Sequence, residues 1–224
     1  ISRNDEVIIS DNGSTDQTLD IIRNFKDSRI KIISKSQTTT SKTYKHYLIS
    51  ANFENALTHA TGDFIFLADQ DDIWKDEKVS TMLKCLNNFD LVISDCSVIN
   101  ENGDLVASSF FEDRTIPTGV LGNVLKPTFH GCCMAFNKKI LKIVLPFPEN
   151  LILHDTWIGV IGLISGEICY IDKPLVWYRR HSNNSSSSAG GSSNSLLFKL
   201  SYRIQLLGQL VKKLVELKCK HTIK

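Results

Sequence analysis

Three carboxylates fall within four residues, at Asp69, Asp71 and Asp72, directly after the apolar run Phe64-Ile65-Phe66-Leu67. A fourth, Asp11, follows the β-branched run Val7-Ile8-Ile9. In open α/β sheets ligands bind beyond the carboxyl ends of strands, which is where both acidic positions lie. Crowded carboxylates repel one another unless a cation sits between them. Hard divalent ions take oxygen ligands, and Mg²⁺ or Mn²⁺ is typically held by one or two carboxylates together with substrate phosphates. The competing reading is a solvated acidic turn at the start of the helix that follows. A second set, His130, Cys132 and Cys133, has metal-ligating atoms but fits no zinc spacing.

The elements that must position these residues follow from periodicity. Val7 to Ser10 reads as a buried strand, and Ser14-Thr15-Asp16-Gln17 as a capping box with Ser14 at the N-cap. Leu19, Ile22 and Phe25 give the next helix its face, and Ile30 to Ile33 a second strand. Residues 34–47, rich in Ser, Thr and Lys, read as a loop. The spacing predicts a helix from Leu48 to Ala60, a strand at Phe64–Leu67 and a helix near Lys75 to Leu86. Leu91–Ile99 and Leu105–Ser109 bracket Asn100-Glu101-Asn102-Gly103-Asp104, a hairpin signal. Residues 128–136 read as extended, Lys138–Val144 and Thr156–Ser165 as helices, and Ile168–Ile171 and Val176–Arg179 as two strands. Strands alternating with helices in the first 90 residues imply a mostly parallel α/β sheet with helices on its faces, with mixed strands further on.

Residues 182–195, SNNSSSSAGGSSNS, have the composition of a flexible linker. The segment 196–224 then carries Leu196, Leu200, Ile204, Leu207, Val211 and Leu214 at helical spacing, as one amphipathic face. From 195 onward there are seven Lys/Arg against one acid; before it, 19 basic residues face 23 acidic ones. A mildly acidic body with a basic tail argues against a nucleic-acid binder. Without a leader or an eighteen-residue apolar run, the chain reads as cytoplasmic. The six cysteines form no C-x-x-C pair and read as reduced thiols.

Four ordered motifs resemble glycosyltransferase family two: Asp11-Asn12-Gly13-Ser14-Thr15-Asp16; Gly62-Asp63 leading into Asp69-Gln70-Asp71-Asp72-Ile73-Trp74; His154-Asp155-Thr156-Trp157; and Tyr178-Arg179-Arg180-His181. The D-Q-D-D-I-W form is similar to the rhamnosyltransferase-like bacterial branch. The resemblance implies a Rossmann-like A-type fold over 1–181 and an inverting transferase that uses Mn²⁺ or Mg²⁺. The donor is a nucleoside-diphosphate sugar and the acceptor a saccharide or a lipid-linked molecule, in surface polysaccharide synthesis at the inner face of the cell membrane. It implies roles residue by residue. Asp11 receives the nucleobase imide, Asp69 contacts the ribose or the metal shell, Asp71 ligates the metal, and His181 is a further metal or diphosphate contact. Asp155 is the general base, and Gly131, His154 and Trp157 lie on the acceptor side. Asn52 and Phe53 match a helix position near the donor. Two departures stand out. The family's opening strand–loop–helix unit is missing, so the domain reads as N-terminally incomplete, and Asp11-Asn12 replaces a pair of acids. Other readings of the same residues are a Mg²⁺-dependent phosphatase-like α/β enzyme and a non-catalytic nucleotide- or partner-binding fragment. The basic helix reads either as packed on the domain or as a peripheral membrane contact through 196–220.

Overall fold

Branching at Cβ stiffens a residue toward extended backbone, and Val7-Ile8-Ile9 lies in strand β1 (Val7–Asp11). Strand β1 pairs in parallel with β2 (Ile30–Ser34), Val7 opposite Ile30 and Asp11 opposite Ser34. Helix α1 (Thr18–Asn24) makes the crossover. The structure is a computed structural model that describes residues 2–35, 45–112, 119–181 and 195–222. The expected capping box is not formed. Gln17 occupies the N-cap without a side-chain bond, and Asp16 accepts the Thr18 N–H at 3.0 Å. Ser14 instead gives both its amide and its hydroxyl to Asp11. A carboxylate is the stronger acceptor, so it wins the hydroxyl from the helix end.

Helix α2 (Lys45–Thr58) starts three residues before the expected Leu48, and most of the loop read at 34–47 lies outside the described residues. Strand β3 (Phe64–Phe66) carries the chain into the acidic turn, and the two-residue strand β4 (Ile73–Trp74) leaves it before α3 (Lys78–Leu86). The hairpin expected at Asn100–Asp104 joins β5 (Leu91–Ile99) to β6 (Leu105–Ala107). Then follow α4 (Val120–Leu125), a 3₁₀ turn at Gly131–Cys133, β7 (Met134–Asn137) and α5 (Lys138–Val144). The Asn137 side chain caps α5 by accepting the Lys139 and Ile140 amides. Helix α6 (His154–Ser165), strand β8 (Ile168–Arg179) and the long α7 (Leu196–Thr222) complete the order. Two segments read as separate strands are one: β8 runs alongside β5 throughout, with register shifts opposite Ser94–Cys96 that absorb Pro174.

The second sheet has the order β3-β7-β5-β8-β4, with β6 on the β5 edge. It is mixed as expected, but among the described residues parallel pairing is confined to β1–β2 and β5–β8. Antiparallel β7 stands between β3 and β5, which breaks what would otherwise be a parallel series. Alternation along β5 and β7 separates two cores. Val92 and Ala135 face Met82 and Leu86 of α3, whereas Leu91, Ile93, Met134 and Phe136 face the larger cluster with Ile140, Trp157, Ile158 and Ile161. Helices thus cover both faces.

Helix α7 packs on the body through Leu206 and Leu210, while Gln205 and Gln209 donate to the carbonyls of Glu149 and Asn150. The expected face is corrected: Leu200, Ile204 and Val211 point to solvent. Leucine and valine occur all around this helix, so periodicity alone does not select a side. The linker read at 182–195 lies, but for Ser195, outside the described residues.

Candidate active site

The acidic turn after β3 is held by the end of β8. The Arg179 amide donates to Asp72 Oδ1 at 2.9 Å, and the Arg179 guanidinium donates to the Asp71 carbonyl at 3.2 Å. Two residues further on, His181 Nε2 lies 3.0 Å from Asp71 Oδ2. The pair expected to share a metal is therefore brought together from positions 110 residues apart. Asp72 Oδ2 is buried with no hydrogen-bond partner. Asp69, Asp72 and the Cys132 thiol have ligand atoms within 4.8 Å of one another. Burial, then the charges of Asp72, Asp71 and Asp155, push the Asp69 carboxyl up to about 7, with His130 opposing. Burial also raises Asp72, against the Arg179 amide. A hydrogen bond with Cys133 and burial push the Cys132 thiol up.

Gly131, His154 and Asp155 come together beside the same turn. Gly131 lies against both His154 and Asp155: a methyl group there would meet His154 Nε2 at 3.4 Å and the Asp155 Cβ at 3.8 Å. His154 opens α6 and stacks on Phe53 of α2 with centroids 4.0 Å apart. Burial lowers its pKa, which favours the neutral ring. Asp155 lies in the first turn of α6, and its Oδ1 accepts the Thr156 amide at 2.6 Å. The N-cap itself is Leu153, so Asp155 is the second residue of the helix. Trp157 is corrected: it is wholly buried, and its indole N–H donates to the Val144 carbonyl at 3.0 Å. Two positions on from Asp155, about 200° around α6, it points away from the site into the core, so it offers no surface to an acceptor.

Asp11 stands apart from the acidic turn. It is buried at the end of β1, and its oxygens accept the Gly13 amide at 3.0 Å and the Ser14 hydroxyl at 2.5 Å. The Ser14 hydroxyl, then the turn amides, hold its carboxyl below the usual range. The neighbouring Ser10 bonds to Asn52 and Asn55 of α2. Helix α2 thus joins the two ends of the site, with Asn52 on β1 and Phe53 on His154.

Residue-by-residue reading missed three supports. Lys78 is fully buried and donates to the Cys132 carbonyl at 2.6 Å beneath the acidic turn. Asp95 accepts the amides of Cys96 and Phe110 and the Ser109 hydroxyl, fixing the strand beside it. His130, its Nε2 buried without a partner, stacks on Phe110 and meets Tyr178 edge-on. Nothing in local spacing distinguishes a buried lysine from a surface one. The cysteines are all free thiols.

The site fits a hard cation. It has an unpartnered buried carboxylate oxygen, three mutually repelling acids and an imidazole on one of them. The mixed sheet with helices on both faces has the A-type glycosyltransferase fold. Residues 1–145 match the family described as Glycosyl transferase family 2, and the chain belongs to that family. Its fold resembles that of S. aureus TarS (1–349) in complex with UDP-GlcNAc, with a TM-score of 0.60 at 18% identity over 91% of this chain and 63% of that one. It is 28% identical over 147 residues, 64% of this chain, to WfgD of Escherichia coli, a UDP-Glc:alpha-D-GlcNAc-diphosphoundecaprenol beta-1,3-glucosyltransferase. It is 26% identical over 192 residues, 78% of this chain, to the dTDP-rhamnosyl transferase RfbG of Shigella flexneri. The chain spans 52% and 62% of those two proteins.

Proposed function

We propose that this chain belongs to a metal-dependent, inverting glycosyltransferase. It moves a sugar from a nucleoside-diphosphate sugar to a saccharide or lipid-linked acceptor during bacterial surface polysaccharide synthesis, on the cytoplasmic side of the membrane. The observation that carries the reading is the convergence of Asp69, Asp71, Asp72 and His181 at one strand end, with Asp155 against Gly131, whose neighbour Cys132 lies among those acids. The activities for which WfgD and RfbG are named, both sugar transfers from nucleotide-linked donors, support it.

Asp71 and His181, with Asp69 on the same turn, would hold Mn²⁺ or Mg²⁺. Such an ion, when bound, stabilises the negative charge that develops on a departing diphosphate. Asp11 accepts the imide N–H of the nucleobase at the other end of the donor. A carboxylate has about four lone-pair sites, so the turn bonds leave it capacity. His154, neutral and stacked, and Gly131, without a side chain, shape the acceptor side. Asp155 takes the proton of the acceptor hydroxyl as that oxygen attacks the anomeric carbon. The bond from that carbon to the diphosphate oxygen breaks on the opposite face, which inverts the centre and needs only one base.

The test is titration calorimetry of the protein carrying this chain with UDP and dTDP, with and without Mn²⁺. Asp71→Ala should abolish the metal-dependent part of nucleotide binding. Unchanged Mn²⁺-dependent binding in that variant removes Asp71 from the metal site.

A further inference from the structure

Helix α7 has a second apolar stripe on the side turned away from the body. Leu206 and Leu210, which pack on the core, are 4% and 3% exposed. At about 100° per residue, Leu197, Leu200, Ile204, Val211 and Val215 lie about 120–180° around the helix from Leu206. These five are 55 to 80% exposed. At about 1.5 Å per residue the stripe is about 27 Å long. A continuous apolar patch of that kind marks a contact site rather than scattered surface leucines. The same rotation sets Lys212 and Lys218, both exposed, on its two borders.

Charge identifies the occupant. From residue 195 onward the chain has seven Lys/Arg and one acid, whereas the rest is mildly acidic. A second copy on this stripe would set two cationic helices side by side, and like-charge juxtaposition opposes that. An anionic surface complements it. No helix among the described residues is long and apolar enough to cross a membrane. We propose that α7 lies in the interface of an anionic lipid bilayer, with its outer stripe among the acyl chains and Lys212 and Lys218 at the headgroup phosphates. The body rides on the opposite face of the helix. The backbone under α7, Glu149 to Leu153, leads directly into His154 and Asp155. The bilayer then lies across α7 from the segment that leads into the acceptor end of the site. The inference stands on the helix alone, whatever the chain transfers.

The experiment is flotation of the full chain with vesicles of phosphatidylcholine alone and of phosphatidylcholine with phosphatidylglycerol, at low and high salt. Binding to the anionic vesicles should fall as salt rises, with little binding to the neutral ones. Lys212→Gln and Lys218→Gln should each weaken it about fivefold. Leu200→Ser/Ile204→Ser/Val211→Ser should reduce it to background. The substituted positions face solvent, so circular dichroism should match the parent. Two results overturn the proposal. One is a triple variant that floats like the parent. The other is a parent that does not float but whose oligomeric state falls on the same substitution, which assigns the stripe to a second copy.

Discussion

Asp155 and Trp157 are two residues apart, and one faces the acidic turn while the other is sealed in the core. Helical geometry forces that divergence, because two positions apart is more than half a turn. The proposed role of Asp155 can be tested without disturbing the fold. Asparagine is isosteric, and its carbonyl oxygen can still accept the Thr156 amide that Asp155 Oδ1 accepts at 2.6 Å. It cannot take a proton. Asp155→Asn should therefore keep donor binding and lose transfer by about 10²–10⁴-fold, the usual range for a general base. Single-turnover transfer compared with nucleotide binding in the full-length protein checks this, and near-normal transfer would remove the assignment.

Helix α6 positions Asp155, and it does so through close packing. A Cβ at Gly159 would come within 2.3 Å of the Phe129 ring, which is itself buried. Gly159→Ala should cost about 1–3 kcal/mol as overpacking forces the helix or the ring to move. Chemical denaturation reads it directly, and an unchanged midpoint would contradict the packing. At the other end of the site, Glu6 ties β1 to the start of β3. It accepts the Thr61 amide at 2.7 Å and pairs with Lys31 at 2.6 Å. The Lys31 bond, then the Thr61 amide, lower its carboxyl to about 2. A depressed carboxyl stabilises the fold above its unfolded value, 4.5, and that contribution is lost as pH falls toward 2. Lys31 is half exposed, so the contribution is modest, about 1 kcal/mol. Glu6→Gln should melt lower than the parent at pH 6, with the gap closing by about pH 2. A gap that stays constant over that range would show that the ionised group is not what holds the strand.

At the scale of the molecule, the two sheets meet without pairing. Among the described residues β1 pairs only with β2, and β3 only with β7. Each keeps one unpaired edge, and an open edge is a template for another strand. The apolar Val7, Ile8 and Ile9 are only half buried there. These open edges should make residues 1–224 associate as concentration rises. Light scattering coupled to size exclusion checks the association. A monomer at all concentrations would mean that the edges are covered.

How much was legible depended on whether the signal was local. Runs of β-branched residues mark β1, β2 and β5 in the sequence, because backbone preference acts within a residue or two. The hairpin at Asn100–Asp104 and the Lys138–Val144 helix were legible for the same reason, and the placement of the Asp69–Asp72 turn at a strand end needed only the apolar run before it. Four things were decided by the tertiary structure. Ser14 serves Asp11 rather than α1, since a charged acceptor outcompetes a helix end. The two runs in β8 become one strand, since β5 supplies a continuous partner for both. Lys78 goes inside, since the Cys132 carbonyl is there to receive it. Helix α7 turns Leu206 and Leu210 inward, since a helix apolar on most sides takes its orientation from what the body presents. Local chemistry settles what each segment can form; only the long-range partners settle which face is covered and which groups meet.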